Sequence, residues 1–340
     1  MLTREFLENL VNKYKTINLF TKKLYKIGPT SVEIIFFGLK DTDNFTKAIT
    51  HLEVELLQNI DLTIFVSDEI HGNLKLPLPT WEWSSVDEYG NIPTYDLSLL
   101  MANFIEMQST FCTLNFENKI ATYWTYDTLQ LPEWERSFPF RSIFHNYWQK
   151  DPNLLTIHAG AVGFGNGGVL LTGKGGSGKS TAALSCLDSN LLYAGDDLML
   201  IDTNTCMIYS LYNVAKLEAH QLKLFPHFEP LIYNHKALPV EKAQLFLHEY
   251  FPEKVISMMP LKAIVLPKFS GETNTTWTRA SSAEALIALA PSSIGVFQEK
   301  AKYLNKIAKL CRLVPIYKLG TGTNLNQISL SIVEILNDIN

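Results

Sequence analysis

The sequence predicts a mixed α/β protein in two domains, a smaller α/β domain over residues 1–135 and a larger one over 136–340. Three observations carry this. Apolar runs of strand length alternate with stretches of helical spacing, the order expected when helices pack on a sheet. The segment Leu131–Ser142, interrupted by Pro132 and Pro139, reads as a hinge between the halves. Beyond it, a glycine-rich segment lies between a predicted strand and a predicted helix. A chain of 340 residues with 46 % hydrophobic and 19 % charged residues can bury substantial cores.

The first domain opens with Leu2, Phe6, Leu7, Leu10 and Val11 at three- and four-residue steps, an amphipathic helix. Ser31–Gly38 and Leu62–Asp68 are β-branched and aromatic runs, hence strands. Pro77, Pro79 and Pro93 make an irregular connection that carries Trp81 and Trp83. Phe111–Asn118 and the following IATYWTYD form a hairpin that turns near Asn118 and Lys119. In the second domain LTIHAGAV is a strand, Gly165–Gly168 a hairpin turn and Gly168–Gly173 a buried strand. Lys179–Asp188 is a helix, with strands at Leu191–Gly195, at LMLID, at Lys262–Pro267 and at Val314–Gly320. Further helices fall near Glu218–Leu224, Ala283–Ala290, Phe297–Leu310 and Asn324–Leu336.

A formal charge of −5 opposes general nucleic-acid binding. The N-terminus mixes charges into its apolar residues and does not read as a signal peptide, and no apolar run reaches the roughly 18 residues of a membrane span. Cys112, Cys186, Cys206 and Cys311 are far apart, as free thiols of a cytoplasmic protein would be.

Gly173-Lys174-Gly175-Gly176-Ser177-Gly178-Lys179-Ser180-Thr181 satisfies G-x-x-x-x-G-K-[ST]. Glycines let the backbone curl so that its N–H groups face a phosphate, and the helix N-terminus adds donors and a positive dipole end. Lys179 can reach the β- and γ-phosphates of ATP, and the Ser180 hydroxyl can join a Mg²⁺ shell. A chance match is expected in roughly 1 % of chains of this length. The strand before and helix after the loop reduce that further.

Downstream, Asp196-Asp197 close an apolar strand next to Gly195. One carboxylate could bind Mg²⁺ while the other takes a proton from an attacking hydroxyl, and which does which stays open. The bland alternative is a solvated strand-end turn. His158, flanked by Ala159 and Gly160, suits a phosphate and equally suits a hydrogen-bonded core position. Arg141, Lys216, Lys242 and Arg279 are cations that could close over a triphosphate, Lys216 foremost because it follows a strand at a helix entrance. Trp81, Trp83, Trp124 and Trp134 could line a groove, although buried aromatics are the default.

The stretch IHAGAVGFGNGGVLLTGKGGSGKSTAALSCL, followed by LLYAGDDLMLID, resembles the HPr kinase/phosphorylase-like serine kinases, relatives of ATP-dependent phosphoenolpyruvate carboxykinase. SLYNVAKL, VEKAQL, LAPSS and VPIYKL look like the branch described simply as serine kinase. The resemblance implies a P-loop kinase core with a mixed sheet. It also implies His158 near the transferred phosphate and Asp196 or Asp197 as general base. The expected activity is ATP- and Mg²⁺-dependent transfer to a hydroxyl, the serine of a peptide or protein, with acceptor recognition by the first domain. A small-metabolite kinase or carboxykinase-like enzyme, and an ATP-binding regulator that transfers nothing, remain alternatives, and a homo-oligomer is left open. The absence of LSGGQ and of NKxD weakens an ABC-type motor and a GTPase.

Overall fold

A computed structural model describes residues 1–39, 41–293 and 300–339. The chain divides into two compact units, Met1–Lys150 and Asp151–Asn340. The boundary therefore lies beyond the expected residue 135, and aromatic packing explains it. The supposed hinge holds a short helix, Glu133–Arg136, and leads into a helix over Arg141–Gln149. Phe140 packs on Phe45 and Tyr123, Phe144 stacks on Trp148, and Trp148 Nε1 donates to Thr30 Oγ1 at 2.9 Å. These contacts bind the segment to the first unit.

In that unit, α1 (Arg4–Lys15) starts at Thr3, whose hydroxyl accepts from Phe6 N at 3.2 Å, an N-cap. Strands β1 (Phe20–Ile27), β2 (Thr30–Phe37), β3 (Leu62–Asp68), β4 (Leu100–Ile105), β5 (Thr110–Asn115) and β6 (Ile120–Thr125) form a mixed sheet in the order β1-β2-β3-β6-β5-β4. Only β2/β3 and β3/β6 run parallel. Alternation sorts the side chains by face. Phe37, Phe65 and Trp124 meet Phe6, Leu10 and Tyr14 of α1, while the neighbouring Phe36 and Tyr123 meet Phe45 and Phe140.

The second unit is a mixed sheet with helices on both faces. Its elements are β7 (Leu154–Ile157), β8 (Gly160–Phe164), β9 (Gly167–Leu171), α2 (Lys179–Ser185), β10 (Leu192–Gly195), β11 (Met199–Asp202) and β12 (Met207–Ser210). Then come β13 (Val214–Leu217), β14 (Ala243–Phe246), β15 (Met258–Phe269), β16 (Thr276–Ala280), α3 (Ser282–Ser293), α4 (Lys300–Leu313), β17 (Ile316–Thr321) and α5 (Asn326–Ile339). The strand order is β10-β8-β9-β15-β12-β11-β7, with β17 parallel to β15 and β16 on its far side.

Successive residues of β15 feed opposite cores. Ala263 and Val265 join Ala182 and Ala183 of α2 and Ile328, Ile332 and Ile335 of α5. Ile264 joins Ala285 and Leu289 of α3 and Tyr303, Ile307 and Leu310 of α4. At about 25 cal/mol per Å² of apolar surface, these two layers are the main stabilising term.

Local structure departs from three of the sequence expectations. LTIHAGAV is two strands, because β7 pairs with β11 and β8 with β10 and β9, so the chain changes ladder at His158-Ala159. The helix after the glycine-rich loop ends at Ser185, short of Asp188. The helix expected at Glu218–Leu224 is a 3-10 turn over Ala219–Leu224. Phe297, the expected start of the helix now seen from Lys300, lies outside the described residues.

Candidate functional site

At the carboxyl end of β9 the chain keeps one more sheet contact, Thr172 N to Val265 O at 3.0 Å, and then curls. Gly173 has φ +154°, and a Cβ there would lie 2.7 Å from Ser177 Oγ. Gly178 has φ +98° and leads straight into α2, whose Ala182 N donates to Gly178 O at 2.8 Å. Both positions need glycine, because each holds a positive φ that side chains rarely adopt. Lys174, Gly175 and Gly176 are exposed at the rim, with Ser177 N donating to Lys174 O at 3.1 Å.

Lys179 turns back into this curl. It is buried, and Nζ donates to Gly173 O at 2.9 Å and to Lys174 O at 3.2 Å. Burial pulls its pKa below the ordinary lysine value, against the opposing charges of Asp196 and Asp197. The lysine thus reaches across the concave side of the loop, where its own backbone carbonyls hold it.

Asp196 and Asp197 follow β10. Regular extension would send them to opposite faces. Asp197 instead adopts φ +76°, and Leu198 N closes a tight turn on Asp196 O at 3.0 Å. Both carboxylates consequently act on Lys179. Asp196 is 1 % exposed; Oδ1 accepts from Asp197 N at 3.0 Å, and Oδ2 has no hydrogen-bond partner. Burial, followed by the charge of Asp197, raises its pKa, and the Ser180 hydroxyl, His158 and Lys179 offset only part of the rise. Gly160 permits this approach, since a Cβ there would stand 3.3 Å from Asp196 Oδ1.

Asp197 has different surroundings. His158 Nδ1 lies 2.9 Å from Asp197 Oδ1. Burial raises the Asp197 pKa more than any single contact lowers it. The hydrogen bond and charge of His158, with Lys216 and Lys242, together bring it below the usual carboxylate value. Lys216 sits within β13, paired with Gln244, instead of at a helix entrance. Lys242 also meets Glu218 Oε1 at 3.1 Å. Thr181 Oγ1 accepts from Gln221 Nε2 at 3.4 Å.

The structure therefore gathers Gly173–Thr181, Asp196, Asp197, His158, Lys216 and Lys242 in one neighbourhood. Within the second unit it leaves Arg279 out, and the remaining candidates belong to the first unit. Arg279 bonds Asp338 at 2.7 Å beside the Tyr317 ring, on the edge strand β16. Arg141 begins a helix of the first unit. Trp81 stacks on Phe111, Trp124 Nε1 donates to Leu74 O at 2.9 Å, and Trp83 packs edge-on against Phe104. Sequence reasoning missed Thr172 and Gln221. Thr172 adjoins the loop in sequence, whereas nothing local marked Gln221.

The donor set fits a hard divalent cation. Asp196 Oδ2 is an unpaired carboxylate oxygen, and the Ser180 hydroxyl acts on the same carboxyl. Thr172 Oγ1 and Ser177 Oγ are further buried oxygens without a partner beside the curl. Such orphans are uncommon in folded proteins and need a ligand, ion or water to satisfy them.

No protein-family model matches the sequence, and no curated protein does. Among solved structures, the Hpr(Ser) kinase/phosphatase from Coxiella burnetii is similar at 13 % identity, over 54 % of this chain and 94 % of that one, with a TM-score of 0.29. So loose an overlap assigns neither fold nor chemistry, and the site must be judged on its own geometry.

Proposed function

We propose that the second unit is an ATP- and Mg²⁺-dependent phosphotransferase that moves the γ-phosphoryl group to a hydroxyl, the serine of a peptide or protein. One observation carries this: a buried lysine reaches into a glycine-built curl beside a buried carboxylate whose second oxygen is unpaired. Backbone N–H groups of Gly175–Ser180 would cradle the phosphates, and Lys179 would exchange its carbonyl partners for phosphate oxygens. Ser180 and Asp196 would hold Mg²⁺, which when bound offsets charge on the β- and γ-phosphates.

Asp197 would take the proton, because it is partly exposed to an incoming hydroxyl and held by His158, whereas Asp196 is buried and would be occupied by the cation. As the acceptor oxygen bonds to the γ-phosphorus and the bond to the β–γ bridging oxygen breaks, the hydroxyl proton passes to Asp197. His158 orients that carboxylate, and ADP keeps the bridging oxygen.

The assay is incubation with γ-labelled ATP, Mg²⁺ and serine-containing peptides, followed by recovery of labelled peptide. Lys179→Ala should abolish transfer while the variant stays folded by circular dichroism. Undiminished transfer by that variant, or label released only as inorganic phosphate by the unaltered protein, would refute the proposal.

A further inference from the structure

The phosphate-loop reading leaves the rest of a nucleotide unaccounted for, and an exposed aromatic ends a strand beside the loop. β9, β15 and β17 are parallel neighbours, so their carboxyl ends share one edge, the edge where ligands bind in open α/β sheets. Leu171 ends β9 and enters the loop. Phe269 ends β15, Thr321 ends β17, and the two are register partners. Val265, Tyr317 and Leu319 belong to the core beneath α2 and α5. Two-residue steps along β15 and β17 therefore put Phe269 and Thr321 on that face as well.

The loop lies against these strand ends. A Cβ on Gly178 would be 3.8 Å from Thr321 Oγ1, and one on Gly173 would be 3.9 Å from Pro267 O. Thr321 is buried, yet Phe269 is 60 % exposed. The backbone beside it is fixed. Ser270 N and Oγ both donate to Thr321 O at 3.0 Å, Thr323 N donates to Glu272 O at 2.8 Å, and Asn324 N to Thr273 O at 3.2 Å. An exposed ring on a pinned backbone offers a stacking surface at little ordering cost.

We propose that the Phe269 ring is the platform on which the base of the nucleotide stacks, with the sugar bridging from it to the phosphate loop. This rests on the phosphate-loop reading above, which the unpartnered Asp196 Oδ2 and Thr172 Oγ1, both buried, support independently of the loop's shape. Stacking uses a π face that every base possesses, so ATP and GTP should bind with similar affinity.

Calorimetric titration of the full chain, with Mg²⁺, against ATP, GTP and inorganic tripolyphosphate tests this. Phe269→Ala should weaken ATP and GTP about tenfold and leave tripolyphosphate unchanged, and Phe269→Trp should retain ATP affinity. ATP binding unaltered in Phe269→Ala overturns the platform. So does an equal loss for ATP and tripolyphosphate, which would make the ring a packing or subunit contact. Unaltered protein that binds tripolyphosphate as tightly as ATP removes the platform but spares the loop. If it binds neither, the phosphate-loop reading fails and the platform with it.

Discussion

Each unit holds a group of two aspartates and a histidine. In the first, the ligand atoms of Asp68, His71 and Asp127 lie within 4.8 Å of one another. In the second, Asp196, Asp197 and His158 adjoin the glycine-rich loop. The residue types match, but the bonding does not. Asp68 Oδ2 accepts from Thr128 N and Thr128 Oγ1, both at 2.6 Å, and Oδ1 accepts from His71 N at 2.7 Å. Burial raises its pKa most, yet these donors together carry it below the usual value. Asp196 is as buried, has one backbone donor and an unpaired oxygen, and its pKa is raised. A saturated carboxylate caps a short helix and fixes a loop; an unsaturated one keeps an oxygen available to a ligand. Hydrogen-bond saturation, more than residue identity, distinguishes the two groups.

The contrast can be broken experimentally. Asp197→Asn should lower phosphoryl transfer about 100- to 10,000-fold, as loss of a general base does, with nucleotide affinity kept. Asp127→Asn should leave the rate of transfer unchanged. Equal losses in both variants, read by label incorporation, would erase the distinction.

Asp68→Asn should destabilise the first unit by about 3 kcal/mol, because several bonds to a buried charge are weakened together. Denaturant unfolding measures this, and a neutral result would mean that Asp68 is no cap.

Asp196→Asn should act in the opposite direction. With no cation present it should stabilise the second unit by about 1 kcal/mol, since an under-bonded buried charge is removed. Mg²⁺ with nucleotide should then raise the melting temperature of the unaltered protein much more than that of the variant.

The smallest effect lies in the pH dependence. Asp68 has a depressed folded pKa, so its contribution is present above 3.8 and lost as pH falls through the lower folded value. Asp68→Asn should flatten the acid limb of stability. Asp196 has a raised folded pKa, so its contribution is full below 3.8 and lost as pH rises through the folded value. Asp196→Asn should gain on the unaltered protein as pH climbs past that point. Melting curves across pH 3–7 on both variants, about four units of range, would show the two trends crossing.

Much of the site was legible because its parts are local. The loop motif, the paired aspartates and His158 lie within one stretch of chain, each marked by residue type and by flanking glycine. Lys216 was noticed for the wrong reason: it occupies a strand, and its relevance comes from β13 lying near Asp197. Gln221 escaped because a 3-10 turn carries it to Thr181. The domain boundary was misplaced because Pro132 and Pro139 punctuate the chain locally, whereas the burial of Phe140, Phe144 and Trp148 is a long-range event.

What the sequence determined alone is a mixed α/β chain with a glycine-rich curl between a strand and a helix, since backbone freedom and apolar periodicity are properties of neighbouring residues. The tertiary structure decided which carboxylate is left unsatisfied, which one His158 holds, and that Phe269 ends its strand exposed beside the curl. Those outcomes depend on burial and on partners brought from distant segments, and solvation and Coulomb energies are set by three-dimensional distance.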